Sequence, residues 1–340
     1  MPGATSTAEE GNMLNNKPIL MARDITKVFS SRRSVFKTSK VIAVNSVTLE
    51  LKEKEIVGLI GESGSGKTTL GRILAGMYKP DQGQVYYMGK KLDYSNKTEV
   101  KKFKKDVQYV FQDPFSSLPP YRKVKTLLEE VLKAYRVASG ADAEKKINEI
   151  LTSVGLTPAD QMGQKRPYEL SGGQRQRVSL ARALAVSPKV IIADEPVSML
   201  DVTIRTGILE LLRKIRDNQG ISIIYITHDI VTANAITDVI YVMYRGSILE
   251  KAPSNEILSN PMHPYTRLLI SSLPSFVKGE TSISEIARDE DDHSPRRVLQ
   301  GTPGSCPFTD RCPYKRPICE SNRPDLTEVR PDHFVACFLY

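Results

Sequence analysis

The stretch "IVGLIGESGSGKTTLGRILAG", residues 56–76, limits the possible folds more than any other part of the chain. Five apolar residues, Ile56 to Ile60, read as a buried strand. A glycine-rich turn follows, and then a helix pattern. Gly61, Gly66, Lys67 and Thr68 satisfy G-x-x-x-x-G-K-[ST] in that strand–turn–helix context, which separates the motif from a chance glycine turn. The chemistry explains the residue types. Glycines let backbone N–H groups converge on phosphate oxygens, and the helix N-terminus adds its positive end. Lys67 reaches the β- and γ-phosphates of a nucleotide, and the Thr68 hydroxyl binds Mg²⁺. Ser63, Gly64, Ser65 and Thr69 complete the candidate nucleotide-binding set.

The 340 residues suffice for one large domain and an appendage. With 48 basic against 39 acidic residues the chain carries +9, which suits an anionic partner or a plain solvated basic surface. No apolar run reaches the ~18–20 residues that span a bilayer. The first sixteen residues lack an apolar signal core, so the expected setting is cytoplasmic.

Along the chain, residues 1–16 read as a loose polar tail. From Ile19 to about Lys251, strand-like runs alternate with helical ones, the pattern of an α/β domain with a largely parallel sheet. The clearest strands are 56–60, 190–194, 221–227 and 238–244. A charged, helix-rich insertion lies at about 113–185. Residues 275–300 read as a linker, and 301–340 as a small cysteine-rich extension.

Downstream of the loop, "KVIIADEP" gives a buried strand that presents Asp194 toward a metal, with Glu195 placed to polarise an attacking water. "LSGGQRQR", Leu170 to Arg177, then adds a family signature. With it the chain resembles the nucleotide-binding subunits of ABC transporters, from about residue 19 onward. The resemblance implies a P-loop, RecA-like α/β core at 17–258 with an inserted helical subdomain. It also implies that Ser171, Gly172, Gly173 and Gln174 close over the γ-phosphate held by a partner subunit. Gln112 in "VFQDP" matches the glutamine loop that touches Mg²⁺ and the water. Asp201 in "SMLD" matches the loop that crosses the dimer interface, with Met199 where alanine is usual. His228 in "ITHD" matches the histidine that contacts the γ-phosphate. Phe29 stands where the family stacks an aromatic on adenine. An insertion, "SSRRSVFKTSK", separates it from the next strand and makes Phe36 a rival.

"NPMHPYTRLLISSLP", 260–274, resembles the C-terminal segment of oligopeptide and dipeptide importer ATPases, within a segment assigned to 259–274. The loop and "FQDPFSSLPP" sit closer to that importer's F-type than its D-type subunit. The resemblance implies a D-type sister ATPase, two transmembrane permeases and an extracytoplasmic substrate-binding protein. It places the chain peripherally on the cytoplasmic face of the membrane. The implied function is ATP hydrolysis coupled to uptake of peptides, di- or oligosaccharides, or nickel. A soluble ABC-type ATPase of DNA repair or translation is the alternative class, but the chain has neither a long coiled-coil insertion nor a second ATPase unit. No nucleic-acid partner is expected.

All four cysteines, Cys306, Cys312, Cys319 and Cys337, lie in the last 35 residues, spaced C-x5-C-x6-C-x17-C. Three readings stand. Disulfides fit poorly with a reducing cytosol. Zinc is possible, although tight pairs two to four residues apart are missing. Four thiolates also suit a [4Fe–4S] cluster, which the resemblance favours because importer ATPases of this branch hold one on a similar pattern. A metal core would let a short, proline-rich tail fold without a hydrophobic one.

Overall fold

Strand-forming runs on either side of the glycine-rich loop build two sheets. The structure is a computed structural model that describes residues 17–34, 37–273 and 304–340. The expected tail at 1–16, Phe36 and the linker at 275–300 lie outside the described residues.

The first sheet is antiparallel, in the order β2–β1–β4–β5. It comprises β1 (Leu20–Ser34), β2 (Lys37–Leu51), β4 (Gln82–Tyr87) and β5 (Lys90–Lys91). The segment around "SSRRSVFKTSK", read from sequence as an insertion separating two strands, instead continues both of them. The register runs out to Ser34 opposite Lys37. Backbone pairing between the two strands meets the N–H and C=O groups that face across it, so a segment with no apolar periodicity still forms strand.

The second sheet contains the four strands expected from sequence, β3 (Ile56–Ile60), β7 (Val190–Asp194), β8 (Ser222–Thr227) and β9 (Val239–Tyr244). It also contains β6 (Val107–Val110), which the sequence reading did not single out. With β10 (Ser247–Pro253), β11 (Thr327–Arg330) and β12 (His333–Val335) its order is β11–β12–β10–β9–β3–β8–β7–β6, and the five strands from β9 to β6 are mutually parallel. β3, β7 and β8 are buried at every position. That explains why they read as continuous apolar runs rather than alternating ones. All of these parallel strands except β9 deliver their C-terminal ends to candidate site residues.

Between β6 and β7 the chain is helical, through Pro114–Ser117, Val124–Ala134, Gly140–Ser153, Ala159–Gln164 and Gly172–Leu184. Leu127, Leu128, Leu132, Ile147, Ile150 and Leu151 form its own apolar layer, continuous with the core.

The tail corrects one expectation. It is not a module that lacks an apolar core, because Cys306, Phe308 and Cys319 join the main core cluster of the preceding domain. β12 (His333–Val335) pairs antiparallel with β10 (Ser247–Pro253), and β11 (Thr327–Arg330) pairs with β12, which extends the central sheet. Phe308 is 1% exposed. Its ring packs against Tyr244, Tyr265 and His263, with centroids 5.4, 5.5 and 5.8 Å away. A buried pair adds to the seam. His333 Nε2 lies 2.7 Å from Glu250 Oε1, and Glu250 also accepts the N–H groups of Met262 and His263. These contacts cover an otherwise open strand edge.

Candidate nucleotide site

The turn after β3 needs its glycines. Gly66 has φ +105°, and a Cβ there would stand 2.2 Å from the carbonyl oxygen of Ala43. The helix Lys67–Leu74 begins at this residue, so its free N–H groups open onto the turn. Lys67 lies across the loop. Its Nζ donates to the carbonyl oxygens of Gly61 (2.7 Å) and Glu62 (2.8 Å) and is 3.4 Å from Ser65 Oγ. Burial lowers the pKa of this ammonium, while Glu195, Asp194 and Glu62 oppose the shift.

Asp194, at the end of β7, is 2% exposed. Burial raises its pKa, and hydrogen bonds from Tyr109 and Thr68 work against that shift. The Thr68 hydroxyl reaches Oδ1 at 3.2 Å and the Tyr109 phenol reaches Oδ2 at 2.6 Å. Sequence reading missed Tyr109. The available signal was an aromatic with a polar tip between the valines of a short strand, where a buried hydroxyl needs a partner.

Glu195 adopts φ +44°, a left-handed conformation for a residue with a side chain. Such strain persists only where the surroundings impose it. Here the Glu195 N–H donates to Ile226 O of β8 at 2.8 Å, which turns the carboxylate out of the sheet. Gln112 Nε2 donates to its Oε2 at 2.9 Å, and His228 Nδ1 lies 3.3 Å from Oε1. Residues distant in sequence thus meet at one carboxylate on the wall of the cleft.

Ser63, Gly64, Gly66, Lys67, Thr68, Thr69, Gln112, Glu195 and His228 line a single cleft of about 610 Å³, within the range of small-molecule sites. Gly61, Ser65 and Asp194 do not line it but bond to two residues that do, Lys67 and Thr68. Val41, Ile42, Ala43, Glu62, Arg245, Gly246 and Leu269 also line it and were not picked out from sequence. Phe29 does not line the cleft. It lies edge-on against Tyr78 at 5.8 Å, near the Lys27 ammonium. Val41, Ile42 and Ala43, on the strand paired with that of Phe29, supply an apolar wall of the cleft.

Ser171, Gly172, Gly173 and Gln174 do not line this cleft either. Ser171 caps the helix Gly172–Leu184, with its Oγ accepting from Gln174 N (3.3 Å) and Gln174 Oε1 accepting from Ser171 N (3.1 Å). Gly173 is pressed against the helix Val202–Gln219, where a Cβ would meet Ile204 Cγ2 at 2.6 Å. Asp201 precedes that helix on an open surface, flanked by Met199 (57% exposed) and Val202 (75% exposed).

Cys306, Cys312, Cys319 and Cys337 are free thiols that share one small cavity with His263, Phe308 and Arg316. Burial pushes the Cys306 thiol up to about 11 and raises Cys312 and Cys337. Among the described residues, no three or more His, Cys, Asp or Glu side chains are gathered as a site for a metal ion. No described helix is long and apolar enough to cross a membrane.

The strand-end cleft, its lysine loop and its paired acids define an ATPase of the ABC cassette class. The ABC transporter family matches residues 44–198, and the oligopeptide/dipeptide transporter C-terminal region matches 249–319. The oligopeptide transport ATP-binding protein AppF of Bacillus subtilis is 39% identical over 332 residues, covering 96% of this chain and 98% of that one. The dipeptide transport ATP-binding protein DppF of Haemophilus influenzae is 35% identical over 332 residues, covering 95% and 97%. The dimeric post-hydrolysis cassette MJ0796 bound to ADP and Pi superposes with TM-score 0.61 at 31% identity, over 69% of this chain and 98% of that one. The chain belongs to the ATP-binding proteins of oligopeptide and dipeptide ABC importers.

Proposed function

We propose that the cleft holds Mg·ATP and that its hydrolysis powers uptake of oligopeptides or dipeptides. In this reading the 61–69 loop cradles the phosphates. Thr68, Gln112 and Asp194 hold Mg²⁺, which offsets phosphate charge. Glu195 polarises the attacking water, with Gln112 and His228 orienting its carboxylate. The observation that carries the proposal is the meeting of Gln112 and His228 on Glu195 at the rim of the lysine loop's cleft.

Ser171–Gln174 and Asp201 are assigned to a second nucleotide, held by a D-type sister ATPase. Their position outside this cleft and the apolar surface around Asp201 support that assignment. A second groove runs between β6 and the helical segment, lined by Met77, Gln108, Phe111, Tyr135 and Arg182. We assign it to one of two transmembrane permeases, which places the chain peripherally at the membrane. An extracytoplasmic binding protein completes the importer.

We further assign a [4Fe–4S] cluster to Cys306, Cys312, Cys319 and Cys337. What supports it is the donor chemistry, four free thiols lining one small cavity with no acid in its lining. Among the described residues they are not drawn together into a closed metal site, so binding would have to gather them. Zinc is the second choice, because the tight cysteine pairs two to four residues apart that zinc modules use are missing. When bound, the cluster supplies a fixed link among four points of the tail.

Gentle solubilisation of native membranes and mass spectrometry of what co-purifies with this chain tests the reading. Two permeases, a sister ATPase and a binding protein that retains peptides are expected. A soluble partner set with no permease overturns it.

A further inference from the structure

An acid within a phosphate-binding loop works against the loop's own ligand. Glu62 follows the first glycine of the loop and lines the cleft. Its carboxylate is met by Arg311, a residue 249 positions later, whose Nη1 lies 3.0 Å from both Oε1 and Oε2. The backbone N–H of Glu62 donates to the Tyr265 hydroxyl at 3.0 Å. The loop is therefore held by two partners, both from the C-terminal part of the chain.

Arg311 is itself placed by packing. Its guanidinium lies 5.9 Å from the ring centroids of both Tyr244 and Phe308, an aromatic ledge that limits its rotamers. A second grip lies beside it. Asp310 Oδ2 accepts from Arg245 Nη1 at 2.9 Å, and the same atom reaches Pro307 O at 3.4 Å. Arg245 lines the same cleft. The short segment Pro307–Arg311, between Cys306 and Cys312, thus touches the cleft at two charged points.

We propose that Arg311 is a positioning residue for the nucleotide, because it neutralises Glu62 and so fixes both the shape and the charge of the phosphate loop. This rests on the reading of the 61–69 loop as the ATP phosphate site. The C-terminal segment then becomes a condition for tight nucleotide binding. The pair contributes little to folding, since its side chains are 41% and 40% exposed and such pairs add little stability. Its effect falls on the ligand, where an unpaired carboxylate at the loop repels phosphate.

Equilibrium binding of a non-hydrolysable ATP analogue and of ADP to the full chain tests this. Arg311→Ala is expected to weaken the analogue about fivefold, near the low end of site-to-site coupling, and ADP by less. Arg311→Lys keeps the charge and binds close to the unmodified chain. Arg311→Ala combined with Glu62→Gln recovers affinity to within about twofold, because the acid that needed neutralising is gone. Unchanged affinity in Arg311→Ala overturns the proposal. So does a loss that persists in the double variant, which would mark Arg311 as merely structural. Lys67→Ala separates the two readings. If it binds the analogue normally, the loop assignment itself is wrong. If it abolishes binding while Arg311→Ala has no effect, only the role of Arg311 fails.

Discussion

The phenol of Tyr109 donates a 2.6 Å hydrogen bond to Oδ2 of Asp194, a carboxylate 85 residues further along the chain. Thr68 takes the other oxygen. The two donors hold a buried acid in one orientation, and the ring of Tyr109 also lines the groove between β6 and the helical segment. A helix docked in that groove would touch the residue that steadies the proposed metal ligand.

Tyr109→Phe removes only the hydroxyl. Hydrogen bonds to charged groups contribute about 1.5–3 kcal/mol, so denaturant unfolding without nucleotide should show a loss of about 1–2 kcal/mol. The Mg²⁺ concentration that half-saturates ATPase activity should rise as well. An unchanged unfolding midpoint and Mg²⁺ response would show that the bond does not position Asp194.

Glu195→Gln keeps the side chain's size and its contact with Gln112 but removes the base. Hydrolysis should fall by orders of magnitude, and an ATP-bound dimer should accumulate, visible by size-exclusion chromatography with the sister subunit. Turnover within a few-fold of the unmodified chain would exclude Glu195 from that role.

Phe308→Ala empties the aromatic contact that docks the tail. Removal of a buried Phe costs about 3–5 kcal/mol, and here the loss falls on the seam between the tail and the sheet. Hydrogen exchange should quicken selectively in β11 and β12 while β3, β7 and β8 stay protected. Uniform protection across both regions would refute the docking role.

His263 Nδ1 accepts the N–H of Tyr265 at 3.0 Å, which caps the helix Pro264–Ser271 and requires that nitrogen to be unprotonated. Burial lowers its pKa from 6.5 to about 4, with Glu250 opposing and Arg267 adding to the shift. A depressed folded-state pKa means that the unfolded chain binds the proton first. This contribution is complete above about pH 6.5 and is lost as pH falls toward 4. The melting temperature of the chain should drop across that window, and His263→Asn should flatten the decline. An equally steep decline in the variant would assign the effect to other groups.

Much of the site was legible in order along the chain. The loop from Gly61 to Thr69, the acid pair at the end of β7, Gln112 and His228 each stand out in a few consecutive residues, and the structure brings them to one cleft. Local chemistry demands those residue types in sequence: glycines where φ is positive, a lysine and a hydroxyl at a helix start, acids after a buried apolar strand. The strands β3, β7, β8 and β9 were legible for the same reason, since burial on both faces leaves an unbroken apolar run, whereas β6, with Gln108 in its middle, was not.

What the sequence alone determined, then, is the phosphate loop, the α/β core and the family of the chain. Only the tertiary structure decided that Tyr109 steadies Asp194, that Val41–Ala43 rather than Phe29 wall the cleft, that β11 and β12 extend the central sheet, and that Arg311 meets Glu62. These contacts join residues far apart in sequence, and no local pattern encodes them. Their partners are chosen by which surfaces the packed sheet brings together, and by the need of each buried polar group for a mate.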